Sequence, residues 1–346
     1  MAHLEHRKAD LSLKGRGDYG GQALVGPFEP DAASMMSDAP LFGMPPEALY
    51  LWGTLRDVEG DLHTIMRRIP HNGKPTARRK LVVQSTIGGY DHLHMHAAGL
   101  QSAPHIDPIR EMVGPDAIEW RSNPEATGSP FRARWANETC HWVEEGVFDL
   151  RGTLIKPGMQ WYVPGPRAAM SYVATIYRLE GVIFDRPCQG LIGFDQIYMY
   201  EGGAVYQTLD PLIEDGLEHM WYTWATCYRD GSIDAGHFML GNNRFGFAIL
   251  TDEHQKVRLS TDVDGEVFYG PDGYWFTGAR FTMGSEEFEF LPDPRGRMPD
   301  LGPIPNPQID GRWRRVGDTR EPEVWFAWGE AVPANGPVPT RQTFPV

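Results

Sequence analysis

The chain has 346 residues, 41% of them hydrophobic and 12% aromatic, which supplies a sizeable core and argues against global disorder. Its 32 Lys and Arg stand against 46 Asp and Glu, a formal charge of −14 at pH 7. That balance disfavours nucleic acid and anionic membrane surfaces as partners, and no apolar run approaches the ~20 residues of a membrane-spanning helix.

Residues 1–45 are rich in Gly, Pro, Ala and Asp and read as an extended N-terminal arm. The opening MAHLEHRKADLSLKG carries no apolar stretch of the kind a secretory signal needs. Cys140, Cys188 and Cys227 are too few and too far apart for a disulfide framework, so reduced thiols in a cytoplasmic protein are expected. The segment EALYLWGTLRDVEGDLHTIMRRIP predicts a hairpin turning near Glu59-Gly60-Asp61. KLVVQSTIG follows as a strand, and PHIDPIREMVGPDAIEW is expected to hold one helical turn. FRARWANETCHWVEE, VFDLRGTLIK and AAMSYVATIYRLEGVIF continue the strand pattern. Beyond Gly190 it resumes with IGFDQIYMYEG, EHMWYTWATCYRDGSIDAGHFMLG, RFGFAILTDE, EVFYGPDGYWFTGARFTM and EVWFAWGEA. The Pro-rich LPDPRGRMPDLGPIPNPQIDGRW reads as extended rather than helical.

With 39 Gly, 29 Pro and scarce helical periodicity, the chain is expected to be mainly β, built of antiparallel barrels or sandwiches. Similar strand content in the two halves suggests an N-terminal β unit over 46–185 and a C-terminal one over 186–346, divided near DRPCQG. Exposed strand edges leave a homodimer open.

Two stretches carry candidate chemistry. In GGYDHLHMHAAG, a strand over 90–96 would set His92, His94 and His96 on one face. Such a face could bind a metal with His105 or Asp107, line an acid–base pocket, or decorate an edge. In LIGFDQIYMY, Asp195 sits in an apolar run, where burial would raise its pKa and make it a proton donor. The competing reading is a turn Asp bonded to its own backbone. Aromatic side chains could wall an apolar pocket and stabilise a cationic centre, or simply fill a core. Gln196, Tyr198, Trp161, Trp221, Tyr222 and Trp224 are the candidate substrate-binding residues, Trp221 falling on the opposite strand face from Tyr222 and Trp224. Asp234 and His237 could act together only if their segment bends. No G-x-S-x-G elbow, P-loop or G-x-G-x-x-G after a strand appears, so esterase, NTPase and dinucleotide chemistry lose support.

The segment YVATIYRLEGVIFDRPCQGLIGFDQIYM resembles the mid-chain signature of the carotenoid hydratase (hydroxyneurosporene synthase)/AttH-like family, which reads approximately G…G-x-x-x-x-D-[HQ/R]-x-W. Gly181, Gly190, Asp195 and Gln196 occupy those positions, and Trp221, Trp224, Asp230 and Gly231 in MWYTWATCYRDG match the strand that follows. Ile197-Tyr198-Met199 replaces the family's Trp-Gly ending. The resemblance covers about 46–335, with its specific part in 181–231. It implies two lipocalin-like barrels with an apolar-ligand pocket at their junction, and cofactor-free water addition, cyclisation or pericyclic closure. The expectation is a cofactor-independent lyase, hydratase or isomerase acting on a hydrophobic terpenoid-, steroid- or polyketide-like molecule. Asp195 would be its acid–base group, partnered by a histidine from 92–96. The alternatives are a non-catalytic carrier of a lipophilic ligand and a metal-dependent enzyme built on His92, His94 and His96.

Overall fold

Residue alternation accounts for most of the architecture, seen in a computed structural model that describes residues 5–8, 23–70, 81–101, 109–164, 168–205, 208–211, 220–241, 246–300 and 307–331. The first strands are β1 (Glu5–Lys8), β2 (Leu24–Phe28), β3 (Pro46–Asp57), β4 (Leu62–Pro70), β5 (Val82–Ser85), β6 (His94–Met95), β7 (Ile109–Met112) and β8 (Ala117–Arg121). Next come β9 (Phe131–Ala136), β10 (Thr139–Glu144), β11 (Phe148–Val163), β12 (Met170–Ile183), β13 (Arg186–Met199) and β14 (Met220–Tyr228). The last are β15 (Ile233–Leu240), β16 (Gly246–Asp252), β17 (Arg258–Ser260), β18 (Val263–Tyr269), β19 (Phe276–Met283), β20 (Glu286–Arg297), β21 (Gln308–Arg315) and β22 (Pro322–Ala331). Two short helices, α1 (Ala32–Met36) and α2 (Ala98–Gln101), complete the described elements, and no helix among them is long and apolar enough to cross a membrane.

The strands form two antiparallel sheets, ordered β6-β5-β4-β3-β13-β12-β11-β10-β9-β8-β7 with β2 added on β11, and β1-β18-β19-β20-β21-β22-β14-β15-β16-β17. One curls into a nearly closed barrel and the other into a half-barrel, so the expected mainly β, antiparallel class is what the chain adopts. The hairpin between β3 and β4 turns at Gly60, whose φ of 83° suits glycine. The N-terminal arm is not merely extended: β1 pairs with β18 of the second sheet and β2 with β11 of the first.

Three expectations need correction. The change of sheet falls between Met199 and Met220, not near residue 185. Phe184 and Asp185, both at positive φ, close a two-residue hairpin that pairs Ile183 with Arg186, so DRPCQG begins β13 rather than linking two units. The helical turn expected in PHIDPIREMVGPDAIEW is, in its described part, a hairpin of β7 and β8 with Gly114 at φ 79°. Within 90–96 only His94 and Met95 are strand, because Gly88 and Gly89 at positive φ turn the chain just before the histidines.

Three large apolar cores and one small cluster form among the described residues. Leu49, Leu51, Trp135, Leu179 and Phe194 fill the interior of the first sheet, and Tyr222, Phe238, Phe281 and Trp313 that of the second. A third core, with Trp52, Tyr172 and Leu191 from one sheet and Trp221, Phe247 and Trp328 from the other, lies between them. β22 packs over β13 and β3, and β15 and β16 over β11. Strands β3, β12 and β13 are therefore covered on both faces, which is why their sequences read as nearly unbroken apolar runs. Polar groups tie the sheets at the edge of this core: Arg56 donates to the Trp325 carbonyl and to Asp293 and Asp310, and Thr54 donates to Asp310.

Inside the first sheet, Arg67 donates through Nε and Nη2 to Glu144, both side chains fully buried, and Trp142 also donates to Glu144. Removing the negative charge this guanidinium faces costs several kcal/mol in a water-free interior. Glu144→Gln is expected to lower unfolding free energy by about 3 kcal/mol or more, measured by urea denaturation. A loss under about 1 kcal/mol, the range of an exposed pair, would contradict the buried-pair reading.

Candidate active site

Strand parity on β13 sends Ile192 and Phe194 into the first sheet's interior, and Leu191, Asp195 and Ile197 to the face covered by the second sheet. Asp195 is fully buried there. Two donors converge on its Oδ2: the indole N–H of Trp52 from β3 and the hydroxyl of Tyr172 from β12. Neither donor is the direct cross-strand neighbour of Asp195. Trp52 pairs with Gly193 and Tyr172 with Ile197, so both reach diagonally across β13. Gly193 permits this, since a Cβ there would stand 3.0 Å from the Trp52 ring. Ala174, directly opposite Asp195, is the small residue on the other side.

The second sheet covers this group with aromatic rings. Trp52 lies 5.6 Å from Trp221, 5.1 Å from Phe326 and 5.2 Å from Trp328, centroid to centroid. Tyr172 stacks on Trp161 at 4.9 Å with a 5° interplanar angle. His237 of β15 lies 5.8 Å from Tyr172 and 5.2 Å from Trp221, and stacks on Phe247 at 5.7 Å. Its Nδ1 is 2.8 Å from Thr223 Oγ1, the residue directly across the β14–β15 ladder. Edge and face contacts of this kind stabilise by about 0.5–1.5 kcal/mol each beyond their buried area.

Burial dominates the electrostatics. It raises the Asp195 carboxyl to about 7, although the hydrogen bonds from Tyr172 and Trp52 favour the ionised form. It pushes the Tyr172 phenol well above its ordinary value, reinforced by the neighbouring Asp195. It drives His237 down to about 3, leaving a neutral imidazole. Three buried polar atoms in this cluster have no hydrogen-bond partner: Asp195 Oδ1, His237 Nε2 and Trp161 Nε1. Unpartnered indole and phenol groups also lie in both sheet interiors, at Trp135, Tyr177, Tyr222 and Trp313, and this cluster differs from them in that one of its three atoms is a carboxyl oxygen of Asp195.

Of the residues expected from sequence, the structure brings together Asp195, Trp161 and Trp221. Tyr222 and Trp224 face the interior of the second sheet, as their opposite parity to Trp221 requires. Tyr198 packs with Met44 and Ala169 in a separate small cluster, and Gln196, next to Asp195 in the strand, takes the opposite face. The histidines do not reach Asp195. His92 meets Asp91 at 2.7 Å, His94 meets Asp300 at 3.1 Å and stacks on Tyr90, and His96 accepts from the Ala98 N–H and packs on Phe184. In register His94 aligns through Ser85, His63 and Leu55 with Gly190, four strands across and five residues along from Asp195. His105 and Asp107 lie outside the described residues, among which no three His, Cys, Asp or Glu side chains gather as a metal would need. Sequence reasoning missed Trp52, Tyr172, Trp328 and the role of His237. Parity could have separated His237 from Asp234, which pairs instead with Arg320.

Fold and site together define a two-sheet β protein with a buried carboxyl–aromatic centre at the sheet junction. No family model matches the chain and no curated protein matches it in sequence. It is similar to several solved structures. A protein from Nitrosomonas europaea assigned as AttH is 13% identical, with 84% of this chain and 94% of that one covered at a TM-score of 0.45. Kievitone hydratase from Nectria haematococca is 8% identical, covering 94% and 97% at 0.42, and CghA is 14% identical, covering 89% and 98% at 0.46.

Asp195 also makes stability depend on pH. Its folded pKa of about 7 exceeds the ordinary 3.8, so the folded chain holds the proton longer than the unfolded one. The stability it contributes is full below about pH 4 and lost as pH rises through about 7. Asp195→Asn cannot ionise, so relative to wild type it should gain on the order of 4 kcal/mol between those limits. Denaturant unfolding of both proteins across that range measures it, and a constant difference would refute the raised pKa.

Proposed function

We propose that the protein is an acid–base enzyme, a hydratase-type lyase or an isomerase, whose substrate is a hydrophobic molecule taken into the junction between the sheets. The observation that carries this reading is the Asp195 carboxyl: buried among aromatic rings, raised to about 7, with both donors on one oxygen and the other oxygen buried without a hydrogen-bond partner. A group with that pKa is substantially protonated at neutral pH and ready to reverse its role.

In hydration, Asp195 Oδ1 gives its proton to one carbon of an alkene, and the other carbon becomes cationic. The rings of Trp52, Trp221 and Tyr172 offer π faces to that cation, each worth on the order of 0.5–2 kcal/mol. Water then forms the C–O bond and returns a proton to the Asp195 carboxylate, so the enzyme is regenerated. In isomerisation the same carboxylate instead removes a proton from a neighbouring carbon. Trp52 and Tyr172 hold the carboxylate formed in either step, and neutral His237 can hold the water or hydroxyl through Nε2. The terpenoid-, steroid- or polyketide-like class remains the substrate expectation, and no step in this scheme calls for a cofactor.

Isotope incorporation tests the reading while the substrate is still unidentified. Wild-type protein is incubated with a panel of apolar alkenes and tertiary alcohols in H₂¹⁸O or D₂O, and products are read by mass spectrometry. Enzyme-dependent ¹⁸O or deuterium uptake is expected, falling by about 10²–10⁴ in Asp195→Asn, the usual contribution of a general acid. Tight binding of panel compounds with no isotope uptake would instead establish a carrier.

A further inference from the structure

A second site stands apart from Asp195. The face of β12 that carries Tyr172 continues six residues to Arg178, roughly 20 Å along an extended strand, at the rim of the second sheet, where Arg178 meets Glu323 of β22. There the first sheet forms a cleft of about 810 Å³, within the usual range of small-molecule sites. The ladder register makes its floor a row: Arg134 of β9 pairs with His141 of β10, His141 with Arg151 of β11, Arg151 with Glu180 of β12, and Glu180 with Gln189 of β13. Arg134 and Arg151 therefore flank His141, roughly 10 Å apart across two inter-strand spacings.

Three arginines, Arg134, Arg151 and Arg178, line the cleft with Glu180, and Glu119, Asp149 and Glu323 border it beside Arg134, His141 and Arg178. Arg178 is already answered by Glu323, as Arg186 is by Asp57 and Asp61 and Arg320 by Asp234 and Asp318 elsewhere. Arg134 and Arg151 are exposed, and among the described residues neither side chain has an ion-pair or hydrogen-bond partner. His141 meets Asp149 at 2.8 Å, diagonally across the β10–β11 ladder. Two guanidinium forks on one strand-built floor, opposite Glu119 and Glu180 in register but bonded to neither, suit bidentate recognition of anionic oxygens.

The geometry points to an oxyanion-binding cleft for a hydrophilic small molecule bearing two or more phosphate or carboxylate groups, with Arg134 and Arg151 as the clamping residues. Phosphate and carboxylate share this chemistry, so both are used as probes. Calorimetric titration of the full-length protein at low ionic strength with pyrophosphate, and separately with citrate, is expected to give saturable 1:1 binding of at least one. The tighter of the two identifies the preferred anion. Arg134→Gln and Arg151→Gln should each weaken it by about tenfold or more, the value of a charge-assisted hydrogen bond, and added salt should weaken it progressively. Arg229→Gln removes an exposed arginine paired with Glu321 outside the cleft, and should leave binding unchanged. Thermal unfolding of each variant checks that it is folded. The proposal is overturned if neither probe saturates, or if Arg229→Gln weakens binding as much as the cleft substitutions do. Isotope uptake at Asp195 is read separately, so either site can fail without the other.

Discussion

The packing of one β-sheet against another buries the carboxyl of Asp195, and the character of the centre follows from that burial. A carboxylate in water would ionise near 3.8 and be inert as an acid at neutral pH. Enclosed by Trp52, Tyr172, Trp221 and Trp328, it keeps its proton to about 7. Two hydrogen bonds to one oxygen prevent the shift from going further, because they stabilise the ionised form that desolvation penalises. Desolvation outweighs the hydrogen bonds, and the net result is a carboxyl that titrates near neutrality.

That result needs both sheets. β3, β12 and β13 supply the carboxyl and its donors, and β14, β15, β16 and β22 supply the aromatic cover. Gly193 lets Trp52 lean across β13, and Ala174 leaves space opposite the carboxyl. Polar ties outside the aromatic core, such as Arg56 with Asp293 and Asp310, hold the sheets together without bringing more charge to Asp195. Burial keeps Asp310 protonated to about 6, opposed by the attraction of Arg56, so a second buried carboxyl at the junction is set by the same competition.

Much of this was legible in the sequence. Gly-Pro punctuation and alternating apolar runs gave the antiparallel β class, and the isolated Asp in LIGFDQIYMY marked the carboxyl. Parity within one strand also separated Trp221 from Tyr222 and Trp224, as the two cores confirm. What could not be read was pairing at long range. Trp52 lies 143 residues before Asp195 in the chain, and only the β3–β13 register brings them together. The histidine stretch misled for a local reason: alternation implies a shared face only within a strand, and the glycines at 88 and 89 turn the chain before His92. The boundary near residue 185 failed similarly, since a tight hairpin and a linker share the same turn-forming residues.

The central claim is that the junction holds a carboxyl poised near neutrality. Carbon-13 NMR of aspartate-labelled protein, with the Asp195→Asn variant used for assignment, follows the carboxyl resonance directly as pH is varied. The expected result is a titration midpoint near 7 for Asp195. A midpoint near the ordinary aspartate value of about 4 would contradict the account, because the group would then be an ordinary carboxylate with no proton to give.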